Sequence, residues 1–230
     1  FIQVDRVTDY AAKQGLSRIG LITKTDTYGN AVERTFIQSA NRRGIQIPKM
    51  IRMSAAGLTP NDLQALKAAQ LDAIFIATGG QEAASIAQRL SAYGMTPLMV
   101  KRLGTGLWDD PQLAKSSYLD GSWFAAPAPG RRANFEDNFQ DLYGTRPPRL
   151  TTLAYDATAL AAVLAKMGQV NQSGVYVPAY DRNSLMNNSG FAGIDGVFRF
   201  NRNGLIERQL SILEFRNNNI VEIAPAAGRF

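Results

Sequence analysis

The 230-residue sequence predicts an α/β fold: a mostly parallel sheet flanked by helices and finished by an antiparallel β-ribbon. Three observations carry that expectation. Apolar runs alternate with amphipathic stretches at a spacing of about 25 residues, the length of successive βα units. The runs, such as Ala73-Ile74-Phe75-Ile76, lack the alternation of a half-exposed strand and suit strands covered on both faces. Beyond residue 196 the pattern changes to β-rich segments separated by Asn- and Gly-rich connectors, which tolerate positive φ.

Taken in order, the first element is a helix over Gln3–Lys13, where Val4, Val7, Tyr10 and Ala11 share a face and Gly15 ends it. A buried strand follows at Arg18–Thr23, then a loop over Lys24–Tyr28 and a helix over Gly29–Arg43 closed by Gly44. Further strands are predicted at Ile45–Met53, Leu71–Ala77, Pro97–Leu103 and Ser122–Ala126. Between them lie helices at Pro60–Gln70, capped by Thr59 with Pro60 in the first position, and at Gln81–Tyr93, closed by Gly94. Pro127, Pro129 and Gly130 read as a linker, followed by a helix over Arg131–Tyr143 and a break at Gly144–Pro148. A nearly all-apolar helix over Leu150–Met167 has an alanine face, Ala154, Ala157, Ala161 and Ala165, that permits close packing. Asn171–Ser189 is polar and turn-rich. The ribbon is predicted from Val197–Phe200, Leu205–Phe215 and Ile220–Ile223, joined by Asn201–Gly204 and Arg216–Asn219.

Composition narrows the chemistry. With no histidine and no cysteine, Ser-His-Asp triads, thiol nucleophiles, His or Cys zinc sites and thiol redox chemistry are excluded. The Gly104-x-Gly106 pattern lacks the third glycine of a dinucleotide loop, and no phosphate-loop motif occurs. Asp109-Asp110 before Pro111 reads as a helix start rather than a metal pair, and no carboxylate pair is nominated for glycosidase-like work. No enzyme activity, cofactor or metal is therefore expected. The 25 basic residues exceed the 19 acidic by six but are scattered, so no nucleic-acid partner is expected. No apolar run approaches the ~20 residues that cross a bilayer, and the segment from Phe1 lacks a signal-peptide pattern, so such a leader is absent or already removed.

Several stretches resemble the second half of type 1 periplasmic binding proteins of the leucine/isoleucine/valine-binding kind. They are Arg18-Ile19-Gly20-Leu21-Ile22 with Asp26-Thr27-Tyr28-Gly29, Asp72–Ile76, Phe135-Glu136 to Tyr143-Gly144 with Pro147, Ala154-Tyr155-Asp156-Ala157, and Gly193–Phe200 with Gly204. Gly104–Asp109 and the ending from Phe198 to Arg208 look most like the penicillin-binding protein activator branch of lipoproteins. The resemblance implies two lobes joined by hinge strands with a ligand in the cleft, the chain being about the C-terminal two-thirds of a family member. Residues 1–122 and 196–230 would form the second lobe, and 123–195 a returning helical part of the first with hinge crossings. It also implies a cell-envelope location, periplasmic or anchored at the outer membrane, any membrane contact coming through a lipid anchor upstream.

In an open parallel sheet, ligands bind at the carboxyl ends of the strands. Three loops are therefore candidates: Lys24–Gly29 with Asp26 and Tyr28; Thr78, Gly79, Gly80 and Gln81 leading into a helix; and Gly104–Trp108 with Thr105 and Trp108. Each also has a purely structural reading, as a helix cap, a tight strand-to-helix turn and a core lid respectively. Tyr155 and Asp156 either reach the hinge or cleft, as the matching family residues tend to, or are a buried hydroxyl and a surface carboxylate. The function that the resemblance implies is non-catalytic: an activator-like regulator of peptidoglycan synthesis working through a synthase, with a cell-wall fragment as ligand. The alternative is the solute-binding component of an ABC importer, with an amino acid as ligand and a permease as partner.

Overall fold

The computed structural model describes residues 2–148, 150–228 and 230, with the Arg131 side chain excepted. Helix and strand alternate as α1 (Ile2–Lys13), β1 (Ile19–Lys24), α2 (Thr27–Arg42), β2 (Met50–Met53), α3 (Pro60–Ala68), β3 (Ala73–Ile76), α4 (Gly80–Ala92), β4 (Lys101–Gly104), α5 (Pro111–Ala114) and β5 (Trp123–Ala126). Local chemistry sets the boundaries. Asp26 accepts the Gly29 N–H to start α2, and a reciprocal capping box between Thr59 and Asp62 starts α3 with Pro60 in its first turn.

The remaining elements are α6 (Pro129–Tyr143), α7 (Thr151–Lys166), β6 (Gln169–Val170), β7 (Tyr176–Val177), α8 (Arg182–Leu185), β8 (Phe191–Gly193), β9 (Gly196–Phe200), β10 (Ile206–Arg208), β11 (Ser211–Arg216) and β12 (Asn219–Ala224). The main sheet runs β12-β11-β5-β4-β3-β1-β2. Its five strands β2-β1-β3-β4-β5 are parallel, the order of a flavodoxin-like sheet, and β11 and β12 extend it antiparallel from β5. The β11–β12 turn has both central residues, Asn217 and Asn218, at positive φ, which matches the twist of a tight hairpin.

The chain divides into two compact units. The first holds the residues up to Ala126 together with Ser211–Ala224 and contains the whole main sheet. One sheet face is covered by α3, α4 and α5 through Leu63, Leu66, Ile86, Leu90 and Leu113. The buried faces of α1 (Val4, Val7, Ala11) and α2 (Val32, Phe36, Ala40) belong to the same unit, Phe36 packing on Phe75 of β3. The second unit holds Pro127–Leu210 with the tail from Pro225: α6, α7, α8, the β6–β7 pair and the β8-β9-β10 ribbon, with a small core of Leu160, Leu164 and Phe198.

Three expectations need correction. Of the Ile45–Met53 run, only Met50–Met53 forms a strand, because Pro48 has no N–H to donate and the residues before Met50 are joined only by an isolated Arg18–Gln46 bridge and the Leu21 N–H donating to the Lys49 carbonyl. Of Pro97–Leu103, the first four residues form a turn and pairing begins at Lys101. The run Leu205–Phe215 is two strands: β10 pairs with β9 in the second unit, whereas β11 pairs with β5 in the first. The chain therefore returns to the main sheet at Ser211.

Candidate functional site

The direction of the strand order reverses between β1 and β3, and the loops beyond their carboxyl ends, with the loop after β4, form the candidate site within the first unit. Each loop is pinned to another. The Tyr28 hydroxyl lies 2.7 Å from Thr105 Oγ1. Burial pushes the Tyr28 phenol above its usual value, more than the Thr105 bond lowers it, so it remains a neutral hydroxyl. Lys24 Nζ lies 3.2 Å from Glu82 in the first turn of α4, and the Gly106 N–H donates to Gln3 Oε1 of α1 at 3.0 Å. Asp26 is the cap of α2 and faces its amino end.

Trp108 takes the structural of its two readings, a lid on the core: it is fully buried, stacked on Phe215 at 6.0 Å and 22°, with Phe124 6.4 Å away. Its indole N–H donates to the Thr78 carbonyl at 2.7 Å, which fixes the β3 loop against the β4 loop. The fit depends on Gly104, where a Cβ would stand 2.2 Å from the indole. Trp108 is thus a positioning residue.

Groups remain open beside Thr78. Its Oγ1 is buried and has no hydrogen-bond partner among the described residues. Gly79 caps α4 without a side-chain bond, so the first N–H groups of α4 keep their positive end of the helix dipole uncovered. A cavity of about 290 Å³ lies at this end, lined by Gly80, Gln81, Asp110, Gln112, Lys115 and Tyr118. These donors, with no competing side-chain cap, suit a small anionic group.

The second unit separates Tyr155 from Asp156 in a way opposite to the bland sequence reading. The carboxylate is buried and the hydroxyl-bearing ring exposed. Asp156 accepts the Ile194 N–H at 2.7 Å and pairs with Arg208 at 3.1 Å, while Thr152, one turn earlier, donates to Asp195 at 2.9 Å. Gly193 allows this approach, since a Cβ there would come within 2.4 Å of Asp156 Oδ2. Asp156 therefore ties α7 to the β8–β9 turn. Tyr155 lines a groove of about 760 Å³ with Phe135, Phe139, Leu142 and Tyr143 of α6.

Sequence reasoning missed two participants. Gln3 gave no signal, because nothing local announces that α1 reaches the β4 loop. The α6 aromatic stripe had one, Phe135, Phe139 and Tyr143 at four-residue spacing.

A family model described as periplasmic binding protein matches residues 1–219, and the chain belongs to that family, with its type 1 fold. A Rhodospirillum rubrum protein assigned to branched-chain amino acid ABC transport superposes with a TM-score of 0.81 at 16% identity, over 95% of this chain and 64% of its own. An ABC transporter substrate-binding protein of Desulfitobacterium hafniense, in complex with Leu, gives 0.70 at 21% identity, over 96% of this chain and 64% of its own. A solute-binding protein of R. palustris in complex with benzoate gives 0.70 at 17%, over 97% and 63%. This chain thus spans just under two-thirds of the length of these relatives. No curated protein matches its sequence.

Proposed function

We propose that the chain is the larger part of a periplasmic solute-binding protein that presents a small carboxylate-bearing molecule to an ABC permease and performs no chemistry itself. The observation that carries this reading is the uncapped amino end of α4 beside the unpartnered Thr78 hydroxyl at the strand-order switch. The two ligands held by the similar proteins, leucine and benzoate, share a carboxylate with an apolar body. Asp26, Tyr28, Thr78, Gly79, Gly80, Gln81 and Thr105 would face or frame the ligand, with Trp108 behind them.

In this reading the first unit is one lobe, and the second unit is the returning part of the other. The α6–α7 groove is then where further polypeptide of that lobe packs, consistent with relatives about a third of whose length lies outside what this chain covers. A second reading is the penicillin-binding protein activator role, in which the protein regulates a peptidoglycan synthase. What favours it is the mutual satisfaction of the loops, Tyr28 with Thr105 and Lys24 with Glu82. The named neighbours favour the importer.

The test is a thermal-shift titration of the protein, extended to the length of its relatives, against leucine, other branched-chain amino acids and benzoate. A ligand at 100 times its Kd adds about 2.7 kcal/mol of stability, a clear rise in Tm. No shift with any of them, together with capture of a peptidoglycan synthase, would replace the importer reading with the activator one.

A further inference from the structure

Most of the loop that follows β4 is held in place. Thr105 is fully buried with its hydroxyl on that of Tyr28, and the Gly106 N–H donates to Gln3. Trp108 fills the core and donates to the Thr78 carbonyl. Leu107, between Gly106 and Trp108, is instead 49% exposed. Its N–H reaches Thr105 Oγ1 at 3.4 Å, so its backbone is tied to the pinned part of the loop while its side chain stays open.

A lone exposed leucine is ordinary on a protein surface, so exposure by itself argues nothing. Place does. Leu107 stands directly against Gly79, the cap of α4: a Cβ on Gly79 would fall 2.8 Å from the Leu107 Cβ and 3.0 Å from the Leu107 carbonyl oxygen. A side chain at position 79 would push the β3 and β4 loops apart. An apolar side chain is thereby set beside the uncovered first N–H groups of α4 and the Thr78 hydroxyl, which has no partner among the described residues. Those donors suit a carboxylate, and Leu107 suits what a carboxylate is attached to.

We propose that Leu107 is a specificity-determining residue of this site: it receives the apolar body of a carboxylic acid whose anionic end is held at α4. The inference rests on the solute-binding reading and adds to it the side chain that reads the ligand's body. It makes the preferred class acids with a branched aliphatic or aromatic group. An acid with a polar body is disfavoured, because a hydroxyl or carboxamide placed on Leu107 loses water and gains no partner. The pinned backbone contributes as well, since a contact carried on an already fixed loop costs less ordering when the ligand arrives.

The experiment is calorimetric titration of the protein, extended to the length of its relatives, with leucine and with benzoate, in the parent and in Leu107→Ala, Leu107→Met and Leu98→Ala. Leu107→Ala is expected to weaken binding about tenfold or more, and Leu107→Met to stay within about threefold of the parent. Leu98→Ala makes the same truncation at a leucine 99% exposed before β4, at the opposite end of that strand, and is expected to leave affinity unchanged. The contact itself is read by NMR, as a nuclear Overhauser effect between the apolar protons of the bound acid and Leu107 methyl signals that vanish in Leu107→Ala. Equal affinity of Leu107→Ala and a parent that binds would overturn the proposal and leave the solute-binding reading standing. Lost affinity without the Overhauser contact would overturn it too, since Leu107 would then act only through its loop. A parent that binds neither acid would overturn the solute-binding reading, and the proposal with it.

Discussion

Helices α4 and α6 are of similar length, yet α4 buries Ala83, Ile86, Ala87 and Leu90 while α6, whose apolar side chains form only an aromatic stripe on an otherwise polar helix, has no buried residue among those described. The difference is the supply of partners. Around α4 the sheet and α5 belong to the same unit, whereas the aromatic stripe of α6 meets Tyr155 of α7 across an open groove. Periodicity tells which face of a helix is apolar, and it is silent on whether the chain in hand contains what covers that face.

Breaking each unit separately tests this contrast. Trp108→Ala removes the side chain that joins Phe124, Phe215 and the Thr78 carbonyl, and should cost about 4 kcal/mol in the first unit. Calorimetry should show one transition falling while that of the second unit stays put. Asp156→Ala leaves Arg208 buried without its carboxylate and frees the Ile194 N–H, an expected loss of about 3 kcal/mol confined to the second unit. A loss shared equally by both transitions would contradict the division.

A smaller effect concerns acid. Burial raises the Asp5 carboxyl, but hydrogen bonds from Arg43, Ser39 and Arg42 outweigh it and hold the group at about 2, below the ordinary 3.8. A depressed carboxylate contributes stability that is present above its unfolded value and lost as pH falls through its folded one. Urea midpoints of the first unit should therefore drop between about pH 4 and 2, and Asp5→Asn should flatten that slope. The exposed parts of this network keep the effect modest.

The main sheet was legible because its strands are buried on both faces, so Arg18–Thr23, Leu71–Ala77 and Ser122–Ala126 stand out from their flanks without any partner being known. The β10–β11 break was not, because Gln209-Leu210 carries no glycine, proline or turn signal and the change of partner is a tertiary event. At the site, helix caps such as Asp26 announce themselves through local spacing, whereas the burial of Trp108 depends on Gly104 and Phe215, more than 100 residues apart. The exposures of Tyr155 and Asp156 stay open in the sequence for the same reason: adjacent helix positions face different neighbours, and Arg208 lies far along the chain.

The most direct test of the solute-binding account is amide hydrogen exchange on the protein at the length of its relatives, with and without leucine or benzoate. The account expects saturable slowing at Thr25–Tyr28, Thr78–Gln81 and Thr105–Trp108, strongest at the first N–H groups of α4. Slowing that bypasses these loops, or none with either acid, would contradict it.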